Sequence, residues 1–138
     1  MSQPILQPIG TVHCDITSRE DAPKNYDISD RKGTLEIDPA FQAGLQGIAA
    51  GQTIVVLFWL DRSDRTRLQV YPRGDRSRGL HGVFATRSPD RPNPIAVSEL
   101  RVLAIHDNIL EVVGLDILDG TPIIDIKKKI TPEDRPER

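Results

Sequence analysis

The sequence predicts a mainly β fold, a small single-domain β-barrel with one or two short helices. Three observations lead there. Short runs rich in β-branched residues recur between Gly, Pro, Asn and Asp turn signals along most of the chain. An aromatic share of only 4% leaves Ile, Val and Leu to build the core. A length of 138 residues suits one domain, and a chain of that size buries roughly 68% of the surface it exposes when unfolded, enough for a core without disulfide or metal staples.

In chain order, Ile9–Cys14 reads as the first strand and Gly33–Ile37 as the second. A short helix follows, because Asp38 can cap it, Pro39 suits its first position, Phe41 and Leu45 fall on one face, and Gly47 or Gly51 can end it. Strands are then expected at Thr53–Leu60, Arg67–Tyr71, Gly82–Thr86, Ile95–Ile105, Ile109–Leu115 and Pro122–Lys127. His106-Asp107-Asn108 reads as a hairpin tip and Asp119-Gly120 as a second tight turn. Many short strands with so little helix favour a closed sheet. The barrel domain is assigned to residues 1–130. The charged segment 131–138, with two prolines, reads as a flexible C-terminal tail.

Charge is unevenly spread under a net value of −2. Residues 1–61 carry −4, residues 62–91 carry +5, and residues 92–138 carry −3. The overall balance excludes a generic polycation that holds nucleic acid by bulk charge. The middle block is either a phosphate- or carboxylate-binding segment or a solvated face formed by Arg62, Arg65, Arg67, Arg76 and Arg78. Cys14 is the only cysteine, so no internal disulfide forms and a reducing, cytoplasmic setting is expected. No basic and apolar leader opens the sequence, and the longest apolar run, Ile54 to Leu60, is far short of the ~20 residues of a membrane span. His13-Cys14 has no further Cys or His at ligand spacing, so no metal is expected. There is no glycine-rich phosphate loop or dinucleotide fingerprint. The tripeptide Arg73-Gly74-Asp75 reads as chance in a chain rich in these residues.

Two segments carry the chemistry. In GVFATRSPDRPNPIAVSEL, residues 82–100, Pro89, Pro92 and Pro94 stiffen a loop and hold Ser88, Arg91 and Asn93 near extended geometry. Such a loop can present guanidinium and amide groups at little ordering cost, or it can be a rigid barrel connection. In LDILDGTPIIDIK, residues 115–127, Asp116 ends a strand, Asp119 opens the turn, and Asp125 lies among apolar neighbours. A carboxylate at the last position needs a partner. Arg87 or Arg91 can supply one as a structural salt bridge; alternatively, the three acids can hold ribose hydroxyls, an ammonium or a sulfonium cation.

Together these segments resemble the signature of the TsaA-like (TrmO, YaeB) family, S-adenosylmethionine-dependent methyltransferases built on a small β-barrel. The likeness extends to IGTV near the start and to IVVLFWLDR, and so covers about residues 8–130. It implies an S-adenosylmethionine cofactor, a homodimer with pockets near the subunit interface, a tRNA partner and no membrane association. For the best-known branch it implies N6-methylation of N6-threonylcarbamoyladenosine next to the anticodon. The cofactor residues implied are Pro23, Lys24, Asn25, Leu60, Asp61, Arg87, Val97, Asp116, Ile117, Leu118 and Asp119. Their chemistry suits a ligand with a carboxylate for Arg, cationic and hydroxyl groups for acids, and an adenine for apolar strand ends.

This chain departs from the family pattern at three places. Pro-Arg-Gln becomes Pro23-Lys24-Asn25, DIKPY becomes Asp125-Ile126-Lys127-Lys128-Lys129, and PIGLS becomes Pro94-Ile95-Ala96-Val97-Ser98. Lysine keeps the charge of arginine without its planar fork. Methyl transfer from a sulfonium needs alignment and a nucleophile, and an amide-type nitrogen gains from a base. Asp125 and His81 are the titratable candidates for that role, with Lys127 as an electrostatic helper. The arginine block 62–91 would contact tRNA phosphates. The competing readings are a methyltransferase acting on a small molecule, and a non-catalytic β-barrel that binds nucleotide or nucleic acid. The latter would need an aromatic stacking surface, and the aromatic residues are few.

Overall fold

The computed structural model describes residues 2–135. Six strands close into an antiparallel barrel in the order β1-β2-β7-β6-β3-β8: β1 Gly10–His13, β2 Lys32–Ile37, β3 Thr53–Trp59, β6 Ile95–His106, β7 Ile109–Val113 and β8 Pro122–Lys128. The other two strands, β4 Gln69–Val70 and β5 His81–Gly82, pair only with each other and stand outside it.

Closure follows from period-2 alternation. On β3, Ile54, Val56 and Phe58 point inward, and on β6 Ser98, Leu100 and Val102 do the same. Leu35 and Ile37 of β2, Leu110 and Val112 of β7, and Ile123 of β8 complete an aliphatic core around Phe58. Each such side chain contributes roughly 1.5–3 kcal/mol by leaving water. Register shifts between Leu57 and Phe58 against β8, and between Val102 and Ala104 against β7, bend the sheet as closure requires. Gly33 has a packing reason: a Cβ there would lie 2.5 Å from the His13 carbonyl oxygen and 2.6 Å from Leu115 Cδ1.

The predicted helix forms at Pro39–Leu45, where Asp38 Oδ1 accepts from the Ala40 amide at 3.0 Å, but as a 3-10 helix. Its bonds run over three residues, from the Phe41 amide to the Asp38 carbonyl at 2.8 Å and from the Gln46 amide to the Ala43 carbonyl at 3.3 Å. The expected strands Thr53–Leu60, Ile95–Ile105, Ile109–Leu115 and Pro122–Lys127 form within a residue or two of their predicted ends, and His106 joins the hairpin at Asp107-Asn108. Two expectations are corrected. Arg67–Tyr71 contracts to Gln69–Val70, and most of Gly82–Thr86 is a 3-10 turn at Val83–Ala85. The Val83 carbonyl accepts from the Thr86 amide at 3.1 Å, the Thr86 hydroxyl at 2.9 Å and the Arg91 guanidinium at 3.0 Å, which curls the chain instead of extending it. Of the segment expected to be a tail, residues 136–138 lie outside the described residues; Thr131 and Asp134 form a reciprocal capping pair around the turn Pro132–Asp134.

Candidate functional site

Strands β1 and β3 end, and β6 and β8 begin, at the same end of the barrel. The connections there enclose a cavity of about 290 Å³. Ala22, Pro23 and Lys24 reach it from the β1–β2 loop, Leu60 to Ser63 from the end of β3, Arg87 and Pro89 from the proline-rich loop, and Asp116 to Leu118 from the β7–β8 connection.

The proline-rich loop is a hydrogen-bonded frame. Arg91 donates to the carbonyls of Thr86 at 3.1 Å, Ser88 at 2.9 Å and Val83 at 3.0 Å, so one guanidinium ties three points of the turn. The Asp90 carboxylate accepts from the Asp64 amide at 3.0 Å and faces the Arg19 guanidinium at 3.3 Å, joining three connections. Arg65 Nε donates to the Pro92 carbonyl at 2.8 Å, while its guanidinium lies 5.1 Å from the centre of the Trp59 ring. Out of this frame Arg87 extends over the start of β6 and donates to the Val97 carbonyl at 2.8 Å.

Asp116 is the acid of the cavity. Burial pushes its carboxyl above the ordinary aspartate range, and the opposing pulls are the Ser98 hydroxyl, which donates to Oδ1 at 2.9 Å, and the nearby Arg87 charge. Asp119 has a different task. Its Oδ1 accepts from the Cys14 amide at 3.0 Å, its own amide donates to the Ile16 carbonyl at 2.7 Å, and its carbonyl accepts from Arg62. The Asp119-Gly120 turn, with Gly120 at φ 83°, is thereby pinned to β1. The Cys14 thiol donates to the Ile117 carbonyl at 3.3 Å, and burial holds it protonated above its ordinary range.

Of the residues expected at a cofactor, Pro23, Lys24, Leu60, Asp61, Arg87, Asp116, Ile117 and Leu118 line this cavity. Val97 meets it only through the carbonyl that receives Arg87. Asn25 donates to Asp27 at 2.8 Å and faces a second cavity. Asp125 and Lys127 pair with each other at 2.9 Å on β8, and His81 sits on β5 with Nδ1 3.0 Å from the Gly79 carbonyl; none of the three lines either cavity. The partner of Asp125 is therefore Lys127, not Arg87 or Arg91, whose guanidinium groups are engaged by backbone carbonyls. Lys129, where the family pattern has tyrosine, pairs with Glu99 at 2.9 Å.

Sequence reasoning missed Arg19, Ala96, Ser98 and Thr121. Ser98 had a signal, since it shares the inward parity of Leu100 and Val102 and a hydroxyl there needs a buried acceptor. Arg19 had none; it lines both cavities and is paired there with Asp90, which is remote in sequence.

The second cavity, of about 660 Å³, shares Arg19, Lys24, Arg87 and Pro89 with the first. Its remaining wall comes from Asn25, the proline-rich loop and the β4–β5 segment, and its lining carries seven cationic side chains against the single carboxylate of Asp90. Among the described residues no helix is long and apolar enough to cross a membrane.

Residues 11–135 match the family described as the tRNA-methyltransferase O N-terminal domain. The S-adenosyl-L-methionine-binding protein of Archaeoglobus fulgidus is 42% identical over 124 residues, covering 90% of this chain and 88% of that protein. A probable S-adenosyl-L-methionine-binding protein of Methanothermobacter thermautotrophicus is 39% identical over 122 residues, covering 88% and 87%. The crystal structure of TrmO from Pseudomonas aeruginosa superposes with a TM-score of 0.74 at 28% identity, covering 94% of this chain. The chain spans 57% of the length of that TrmO.

Proposed function

The chain belongs to the family of the tRNA-methyltransferase O N-terminal domain, and on that premise we propose that it is an S-adenosylmethionine-dependent methyltransferase acting on tRNA. The acceptor we assign is N6-threonylcarbamoyladenosine next to the anticodon, methylated at N6. The observation that carries the reading is the convergence of three segments remote in sequence, Pro23-Lys24, Arg87 and Asp116–Leu118, on one cavity.

The residues present suit the cofactor. Arg87 offers a cation for a carboxylate, the half-buried Asp116 offers an acceptor for ammonium or hydroxyl groups, and Leu60, Ile117 and Leu118 offer apolar walls for an adenine. Bound there, S-adenosylmethionine supplies an activated methyl on a sulfonium. The protein's part is alignment. Arg91 holds the loop that carries Arg87, and Ser98 holds the carboxylate of Asp116, so both groups are placed before a ligand arrives.

We assign the acceptor to the side of the larger cavity, whose cationic lining favours a polyanion over a neutral small molecule. A tRNA acceptor implies the cytoplasm. We also propose a homodimer, supported by the exposed apolar side chains of Phe84 and Leu68 beside the β4–β5 ribbon. Asp125, Lys127 and His81 remain our assignment for handling the acceptor proton. Because they lie outside both cavities of one chain, that role depends on assembly. The test is to supply the protein and S-adenosylmethionine to unfractionated tRNA and to profile its nucleosides. N6-threonylcarbamoyladenosine is expected to fall as its methylated form rises. Loss of any other nucleoside would replace the acceptor, and an unchanged profile would remove tRNA from the proposal.

A further inference from the structure

The six arginines of residues 62–78 divide into two classes. Four have partners: Arg62 donates to the Asp119 carbonyl, Arg65 donates to that of Pro92, and Arg67 and Arg78 pair at 3.6 Å with Asp64 and Asp75. Among the described residues Arg73 and Arg76 have neither an ion pair nor a side-chain hydrogen bond, yet both line the larger cavity. We propose that these two guanidinium groups form a clamp for a phosphodiester of the acceptor RNA, a subsite that rests on the tRNA reading above.

Two features show a built arrangement. The Arg76 guanidinium lies over the Tyr71 ring, 4.8 Å from its centre. Stacking of this kind fixes the plane of the guanidinium while its N–H edges stay available for a bidentate acceptor. Arg73 holds φ 55° and ψ 24°, in the left-handed region where glycine is the low-strain residue, and Gly74 follows at φ 71°. An arginine kept in such a conformation points to use of its side chain.

The chemistry selects an oxyanion. The nearest carboxylate in sequence, Asp75, is occupied by the Ser77 amide at 2.9 Å, the Ser77 hydroxyl at 2.6 Å and Arg78, so it does not neutralise the pair. The planar fork of arginine matches phosphate oxygens. The shared wall of Arg19, Lys24 and Arg87 places this subsite beside the smaller cavity. A nucleotide whose base meets the methyl donor would have its neighbouring phosphate within this cationic wall.

The experiment is fluorescence anisotropy with a labelled anticodon stem-loop RNA over a salt series, with inorganic pyrophosphate as a second probe. Calorimetric titration of S-adenosylmethionine runs alongside, and circular dichroism checks folding. Arg73→Ala combined with Arg76→Ala is expected to weaken RNA binding about tenfold to a hundredfold, the range for lost hydrogen bonds to a charged group. It should also flatten the log–log salt slope by ~0.7, the change for one phosphate on a single strand. Arg73→Lys with Arg76→Lys keeps the charge and loses the fork, so it should keep the slope but not the full affinity. Arg101→Ala, an exposed charge on β6 that lines neither cavity, should change affinity by less than about twofold, because a charge outside the site is screened.

Wild-type RNA affinity in the Arg73/Arg76 alanine variant, or an equal loss in the Arg101→Ala variant, would overturn the clamp and leave the methyltransferase reading standing. Tight pyrophosphate binding that leaves RNA affinity unchanged would overturn the phosphodiester assignment. A wild-type protein that binds S-adenosylmethionine but no RNA would remove the clamp and the tRNA acceptor together, sparing the cofactor.

Discussion

The proline-rich loop at residues 82–94 and the β4–β5 segment at residues 62–81 both carry arginine, and they use it in opposite ways. In the first, Arg91 is half-buried and its donors are consumed by three backbone carbonyls, while Arg87 is anchored to a fourth. In the second, Arg62 and Arg65 still reach backbone carbonyls, but the side chains are exposed and the ion pairs beyond them are long, 3.6 Å for Arg67 and Arg78. The half-buried Arg91 acts as framework, because a partly buried carbonyl without a donor is costly, whereas the exposed Arg87 gives one nitrogen to Val97 and keeps its other donors for a ligand. A guanidinium in solvent keeps its charge for a ligand, because exposed pairs are screened and weak.

The contrast is broken most severely by Arg91→Ala. The Thr86 and Ser88 carbonyls lose their donor while that of Val83 keeps the Thr86 amide and hydroxyl, so at ~1–3 kcal/mol for each of the two the loss of stability should reach at least ~2 kcal/mol. Urea denaturation measures it, and Arg91→Lys should not restore it, because one ammonium does not reproduce the fork. A change below ~1 kcal/mol would show that the loop stands without its staple.

A smaller and signed effect is expected at Asp116. Its carboxyl is raised by burial, so the folded state binds a proton more readily than the unfolded chain, and its contribution to stability falls as pH rises from the ordinary aspartate range through the raised value. Asp116→Asn removes that contribution while leaving the opposite one of the lowered carboxylates Asp15, Asp64, Asp75 and Asp134, so the stability of the variant relative to wild type should rise with pH across the window. Affinity for S-adenosylmethionine should move the other way, rising with pH in wild type as the carboxylate forms and staying low and flat in the variant. Paired denaturation and calorimetric series over that window measure both. Parallel pH profiles for the two proteins would remove the Asp116 carboxylate from the site.

The smallest effect is reserved for the solvated segment. Arg67→Ala, which loses only an exposed pair to Asp64, should change stability by less than ~0.5 kcal/mol in the same urea assay. A larger loss would mean that the β4–β5 segment is framework too.

The same contrast explains what the sequence made legible. Strands β2, β3, β6, β7 and β8 were readable because alternation of aliphatic residues is a local pattern, and the capping role of Asp38 was readable for the same reason. Val83 and Phe84 were misread as strand because their apolar character is local, whereas the bonds that curl them come from Thr86 and Arg91. Phe84, 80% exposed, packs into nothing that its hydrophobicity predicts. At the site, residue types and approximate positions were legible, but partners were not. The i,i+2 partner of Lys127 is a local pattern, but which acid meets Lys129 and which carbonyls receive Arg62, Arg65 and Arg87 are decided by segments that only the fold brings together.

The central claim is that the cavity framed by Arg87 and Asp116 holds S-adenosylmethionine. Calorimetric titration of that cofactor into wild type and Arg87→Ala tests it most directly. Saturable binding is expected in wild type, weakened about tenfold to a hundredfold in the variant, because a lost charge-assisted contact costs ~1.5–3 kcal/mol. Equal affinity in the two proteins, or no binding to wild type, would contradict it.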